Sequence, residues 1–176
     1  MADTARSLAA LQVLLADNVT NDISPQDIRD FLVSVHGRYG GIHCTGYAGE
    51  GQSINAAGYT KLTQWAGNNP SSGIVPDYEA GTLTMSITGV YMMEFTLSYG
   101  CSNNNVNTEL YVFKDGVATN IAIKRRTGTA ADTGAVAAAG LIEATAGEVF
   151  DIRAKTAVQT TTMTVSHGSW IARLIG

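Results

Sequence analysis

Charged side chains are scarce in this sequence of 176 residues. Asp, Glu, Lys and Arg make up 15% of it, against about 25% in an ordinary soluble domain. With so little charge available, either the exposed surface consists mostly of Thr, Ser, Asn and Gly, or part of it is hidden in an oligomer. We favour the oligomer, because association also removes exposed sheet edges. The net charge of −4 argues against a nucleic-acid-binding protein, which would carry a basic face. The one basic cluster, residues 124–126, fits either a solvated strand end or a contact with an acidic partner.

Cysteines and long apolar runs are also few. Cys44 and Cys101 are the two cysteines and lie far apart, which argues against a disulfide scaffold and favours reduced thiols. No segment approaches the ~18 continuous apolar residues of a membrane span. The N-terminus lacks the solid apolar run and cleavage site of a signal peptide. We therefore expect a protein that is made in the cytoplasm and does not enter a membrane.

The motifs of common catalytic and metal sites are missing as well. There is no Gly-x-Ser-x-Gly elbow, and no phosphate-binding glycine loop precedes a helix. His36, His43 and Cys44 lack the paired ligand spacing of a zinc site. A metal held on a trimer axis by copies of one histidine stays open. The expectation is a protein without catalysis, cofactor or resident metal.

A helical arm is predicted at the front of the chain, over residues 1–36. Ser24 and Pro25 are typical of a helix start, and Gly37 is typical of a helix end. The second helix of this helix-turn-helix arm carries an apolar stripe at helical spacing, too narrow to form a core alone. The stripe consists of Ile28, Phe31, Leu32 and Val35.

The remainder of the chain has the period of β-strands. Residues 37–52 contain six glycines and predict a linker. Apolar residues alternate in VYMMEFTLSY, residues 90–99, and turns are predicted at Asp115-Gly116 and Ala146-Gly147. A last pair of strands is predicted around His167-Gly168. About eight strands at hairpin spacing predict a mostly β sandwich or jelly roll.

The order of elements from about Tyr59 to Gly176 resembles the C1q/TNF-like jelly roll. The stretches that carry the resemblance are GVYMMEFTLSYG, TELYVFKDGV, AAGLIEATAGEVFDIRA and the terminal GSWIARLIG. Domains of this type form homotrimers, so the resemblance implies a trimeric knob over residues 53–176. The candidates for the trimer interface are Trp170, Ile171 and Leu174, in the terminal strand.

The segment from Leu14 to Ile42 is similar to the N-terminal segments of many tailed-bacteriophage structural proteins. It reads LLADNVTNDISPQDIRDFLVSVHGRYGGI, and such segments dock a protein on the virion. The resemblance implies a virion protein whose apolar stripe binds the major capsid protein or a tail protein. A capsid decoration protein or head fibre is the leading interpretation.

A receptor- or glycan-binding tail tip is the alternative interpretation. Loops are where binding usually resides, and the asparagine-rich loop Asn103, Asn104 and Asn105 is the first candidate for a contact with a host glycan or receptor. A secreted TNF-like signalling ligand is a weaker third interpretation, because no signal peptide or membrane segment is seen.

Overall fold

Two antiparallel sheets form a sandwich in the computed structural model, which describes residues 28, 30, 37–45, 51–130, 132–157 and 161–175. The mostly β class predicted from the sequence is confirmed. The strands in chain order are β1 (Tyr39–Thr45), β2 (Gln52–Ile54), β3 (Thr60–Lys61), β4 (Gly67–Asn68), β5 (Ile74–Asp77), β6 (Thr82–Met85), β7 (Gly89–Cys101), β8 (Asn107–Lys114), β9 (Val117–Arg126), β10 (Gly134–Ala144), β11 (Val149–Thr156) and β12 (Thr161–Leu174).

The strand order within each sheet is that of a jelly roll. Sheet A has the order β10-β7-β12-β1-β4, with β2 paired to β12. Sheet B has the order β5-β6-β11-β8-β9, with β3 paired to β11. Strands that are distant in sequence are therefore neighbours in space, as when β12 pairs with both β1 and β7. The chain crosses between the two sheets repeatedly, which is the mark of this architecture.

The core lies between the sheets and follows the period of two. In β7, the alternate residues from Tyr91 to Tyr99 are at most 1% exposed, as their spacing predicts. The largest buried side chain is Trp170 of β12, which has no exposed surface. Its ring lies 6.4 Å from the ring of Trp65, centroid to centroid. Both indoles belong to the hydrophobic core.

Both predicted hairpin turns are present. Asp115 and Gly116 have φ angles of 46° and 83°, so both adopt the left-handed conformation that a tight type I′ turn between β8 and β9 requires. Gly147, in the turn between β10 and β11, has a φ of 94°. At these positions the sequence signal and the backbone geometry agree.

The predicted linker over residues 37–52 is wrong in its first half. Residues 39–45 form β1, which pairs along its whole length with β12. A Cβ atom added at Gly41 would lie 2.4 Å from the carbonyl oxygen of Trp170. Glycine at this position therefore permits a close approach between two strands, and the flexibility inferred from it is absent.

The predicted turn at His167-Gly168 is also wrong. Residues 161–174 form the single strand β12, whose register against β7 shifts between Val165 and His167. A Cβ at Gly168 would lie 2.6 Å from the side chain of Leu97. The glycine thus follows a β-bulge and makes room for a core residue of β7.

The predicted arm over residues 1–36 lies outside the described residues except for Ile28 and Asp30. Both of these are helical, and Ile28 is 51% exposed whereas Asp30 is buried. The other members of the apolar stripe, Phe31, Leu32 and Val35, are outside the described part of the chain. Within that part, no helix is long and apolar enough to cross a membrane.

Gly81, in the turn before β6, gives a test of the packing between the sheets. Its φ is 66°, and an added Cβ would lie 2.4 Å from the carbonyl oxygen of Leu62. We expect Gly81→Ala to lower the free energy of unfolding by about 1–3 kcal/mol, measured by urea denaturation. Gly58 has nothing within 4 Å of its added Cβ, so Gly58→Ala is the control. Equal losses in the two variants would contradict this account of the turn.

Candidate functional site

The outward-pointing residues of β10, β7, β12 and β1 form one continuous surface, here called face A. Antiparallel pairing aligns them in rows across the four strands. About half of them are small, and three carry a full charge. The members of face A are Ala135, Ala137, Ala139, Leu141 and Glu143 on β10, Met92, Glu94, Thr96 and Ser98 on β7, His167, Ser169, Ile171 and Arg173 on β12, and Tyr39, Gly41, His43 and Thr45 on β1.

Face A has a shallow centre and an apolar end. A groove of about 340 Å³ crosses the centre, between small side chains that include Thr96, Ala137 and Ser169. At one end, Leu141 and Tyr39 are 56% and 50% exposed. Ile175 follows β12 at the same end and is also exposed. A surface with so few charges and such large exposed apolar side chains is typical of an interface between proteins.

The outer surface of sheet B, here called face B, is charged and aromatic. Four of its five ions are paired within the protomer: Nζ of Lys124 lies 2.5 Å from Oε1 of Glu109. The guanidinium of Arg153 donates two hydrogen bonds, of 2.7 and 2.9 Å, to the carboxylate of Asp151. The members of face B are Tyr59, Glu109, Tyr111, Phe113, Lys124, Asp151, Arg153 and Lys155.

Tyr59 is the centre of the aromatic cluster on face B. Its ring centroid lies 5.3 Å from those of Tyr111 and Phe113, and its hydroxyl donates a hydrogen bond of 3.1 Å to Oε2 of Glu109. Burial and the neighbouring carboxylate raise the pKa of Tyr59 to about 12. The ammonium of Lys124 holds the pKa of Glu109 below its ordinary value. Contacts within the protomer thus stabilise the ionised form of Glu109 on face B.

The raised pKa of Tyr59 predicts a loss of stability in alkali. An unfolded tyrosine ionises near pH 10, whereas Tyr59 in the folded protein ionises near 12. Its contribution to stability is therefore complete below pH 10 and is lost as the pH rises towards 12. We expect the difference in ultraviolet titration between wild type and Tyr59→Phe to show one phenol with a midpoint near pH 12. A midpoint near pH 10 would contradict the cluster geometry.

The candidate interface residues of the terminal strand lie in different environments. Trp170 is completely buried inside the protomer, so its assignment to a trimer interface is wrong: an inward position on β12 cannot contact a partner. Ile171, the next residue, points outward and belongs to face A. Leu174 is partly buried and packs against the core. Of the three, only Ile171 has its side chain on an outer face of the sandwich.

The asparagine loop connects β7 to β8 and binds its own neighbours. Asn105 has a left-handed φ of 55°, and Asn104 accepts a hydrogen bond of 2.6 Å from the backbone amide of Ala130. Asn103 accepts one of 2.9 Å from the hydroxyl of Ser102. Asn104 and Asn105 are exposed. These amides therefore shape the loop, and their contact with an outside ligand stays a prediction.

The basic cluster at the end of β9 is engaged inside the protomer. Nη1 of Arg125 donates a hydrogen bond of 2.7 Å to the carbonyl oxygen of Tyr99, and Nη2 lies 3.1 Å from the carboxylate of Asp132. Lys124 pairs with Glu109, and Arg126 contacts Asn105 at 3.4 Å. The interpretation as a strand end explains these contacts without an acidic partner.

The histidines and cysteines are dispersed in the part of the chain that the structure describes. Nδ1 of His43 lies 2.8 Å from Oδ1 of Asn69, and His167 is exposed at the other end of face A. Cys44 and Cys101 are free thiols and are buried. Among the described residues, no three His, Cys, Asp or Glu side chains could together hold a metal ion. His36 is outside these residues.

Known structures share this fold at low sequence identity. The globular domain of zebrafish complement 1qA protein is 11% identical with a TM-score of 0.53, over 79% of this chain and 98% of that one. Eiger TNF from S. frugiperda is 10% identical with a TM-score of 0.52, over 79% and 94%. Murine APRIL, from a crystal structure at pH 5.0, is 10% identical with a TM-score of 0.52, over 78% and 100%.

These similarities confirm the predicted C1q/TNF-like jelly roll, and at such identities they show the fold alone. No protein-family model and no curated protein matches the sequence. The residues of face A must therefore be interpreted from their own chemistry.

Proposed function

We propose that this protein is a non-enzymatic structural protein of a bacteriophage virion, a homotrimer that decorates the capsid or forms a head fibre. Three jelly rolls associate through face A and form an exposed knob. The arm over residues 1–36 anchors the trimer on the major capsid protein or a tail protein of the same particle. The protein then acts at the virion surface, without catalysis or cofactor.

The contrast between the two outer faces is the observation that carries the trimer. Face B carries paired charges and a cation–π contact in which Arg153 lies 4.4 Å from the ring centroid of Phe113. Face A has alanine, serine, threonine and glycine at its centre and exposed Leu141 and Tyr39 at one end. Burying face A removes apolar surface from water at a small desolvation cost, whereas burying face B would desolvate many ions.

The anchoring role of the arm is supported by the sequence resemblance and by two described residues. On a helix, residues two positions apart point about 200° from each other, so Ile28 and Asp30 lie on opposite sides. Asp30 is buried and Ile28 is exposed. The side of the helix that carries Ile28, the first residue of the apolar stripe, is thus exposed at this position. Three outward stripes in one trimer would bind a particle with avidity.

The number of copies per particle tests the virion role. In a gel of purified virions that encode this protein, a capsid decoration protein should be present in hundreds of copies. A tail tip should be present in tens or fewer. Absence of the protein from purified virions would overturn the proposal.

A receptor- or glycan-binding tail tip is the second candidate, and one cavity favours it. A cavity of about 320 Å³ opens on face B beside Asn107, Glu109, Lys124 and Lys155. Face B stays exposed when face A is buried, so this cavity would remain accessible in the trimer. Binding of soluble host glycans by the knob, together with a low copy number, would favour this function over capsid decoration.

A further inference from the structure

Glu94 and Arg173, two of the three charges of face A, form no ion pair within the described residues. The third charge, Glu143, lies at the end of β10, opposite Val90. Glu94 is half-buried at the groove and Arg173 is exposed. Neither takes part in the ion pairs that the described part of the chain forms, which join Lys114 to Glu148, Lys124 to Glu109, Arg125 to Asp132 and Arg153 to Asp151. A carboxylate and a guanidinium without an ion pair in the described part of the chain therefore lie on a surface that is poor in charge.

The strand register places these two charges close together on neighbouring strands. Glu94 of β7 is directly opposite Ile171 of β12, and Arg173 is directly opposite Met92. The two charges are therefore diagonal neighbours, with apolar side chains at the other two corners. Ala139 faces Glu94 from β10, and Tyr39 faces Arg173 from β1. These apolar neighbours cannot compensate a charge once water is removed, so each charge needs the other one, on the same protomer or on a second copy.

We propose that Glu94 of one subunit forms an ion pair with Arg173 of the next subunit. The inference rests on the proposed trimer, since it names the contact that makes face A specific for a second copy of this chain. In a closed cyclic trimer every subunit offers one carboxylate to one neighbour and one guanidinium to the other, so all six charges are compensated. The pair fixes how two subunits align and favours another copy of this chain over other partners, on a surface whose other side chains are mostly small or apolar.

The pair explains why two charges are tolerated on this face. A buried charge that has lost its partner is strongly destabilising, whereas a buried pair approximately compensates its own desolvation. Reversal of one charge would place two like charges at each contact. Reversal of both would restore an opposite-charge pair at each contact, with the positive charge at position 94 and the negative charge at position 173.

Charge reversal followed by mixing tests the pair. We expect Glu94→Arg alone and Arg173→Glu alone each to weaken association about a hundredfold or more. Each single variant should then sediment as a folded monomer at micromolar concentration. The double variant should assemble like wild type. Wild type and the double variant should form separate trimers when they are mixed, because every contact between the two would join like charges.

Lys155→Glu, on face B, is the matched control and should leave assembly unchanged. Circular dichroism and the thermal midpoint of each variant establish that it is folded. Trimeric single variants beside a trimeric wild type would overturn the ion pair and leave the trimer intact. Free formation of mixed trimers by wild type and the double variant would place the pair inside one protomer and overturn the inference. A monomeric wild type would overturn the proposed trimer itself.

Discussion

A single carboxylate at the centre of face A is expected to convert the assembly into folded monomers. Ala137 is exposed on β10, lines the central groove and is directly opposite Thr96 of β7. Ala137→Glu would add a second carboxylate beside Glu94 on the surface that the trimer buries. Burying an unpaired charge costs several kcal/mol, and the cost arises at each of three contacts. Sedimentation at micromolar concentration should show monomers with an unchanged circular dichroism spectrum.

Ala118→Glu is the matched control for this experiment. Ala118 is exposed on β9, directly opposite Phe113 of face B, so the new charge stays in water when face A is buried. The control should remain trimeric. If Ala137→Glu is as trimeric as Ala118→Glu, subunits associate through another surface. If Ala118→Glu alone becomes monomeric, the roles of the two faces are reversed.

Loss of particle binding is the expected result of Phe31→Asp. Phe31 is at the middle of the predicted stripe, whose first member, Ile28, is exposed. A charge within an apolar contact costs several kcal/mol unless it protonates or stays in water. Because three arms bind together, the loss is multiplied through avidity. The variant should be a soluble trimer that no longer binds particles lacking the native protein.

Arg29→Asp gives a control away from both the stripe and the buried side of the predicted helix. At 100° per residue Arg29 lies about 100° from Ile28 and about 100° from Asp30, and Asp30 is the buried one of these two. Arg29→Asp should retain particle binding. Normal decoration by Phe31→Asp would contradict the anchor, whereas insolubility of Phe31→Asp alone would show that the stripe packs on its own jelly roll. Equal loss in both variants would indicate that helix formation matters more than the stripe.

The regular parts of the fold could be predicted because their signals are local. In β7 the alternation of apolar residues defines the buried face without any knowledge of the partner strands. The turn at Asp115-Gly116 could be predicted because its backbone needs two left-handed residues. Strand β1 could not be predicted, because Gly40 and Gly41 have the local signature of a flexible loop. Tertiary packing requires these glycines, since Ile74 leaves no space for a Cβ at Gly40 and Trp170 leaves none at Gly41.

The candidate site could be predicted only in part, for a similar reason. Alternation indicates that Ile171 and Trp170 point to opposite sides of β12, but it does not say which side is the core. That choice depends on pairing with β1 and β7, which are distant in sequence. The small residues of β10 do not by themselves indicate an interface. They become part of an interface candidate only when the register places them beside Thr96 and Ser169.

The mass of the full-length protein in solution tests the trimer most directly. Sedimentation equilibrium at micromolar concentration should give three times the 18.5 kDa mass of one chain, with no dependence on rotor speed. The trimer should persist at high salt, because apolar burial on face A provides most of its stability. A mass of one chain under these conditions would contradict assembly through face A, and with it the proposal of a trimeric virion protein.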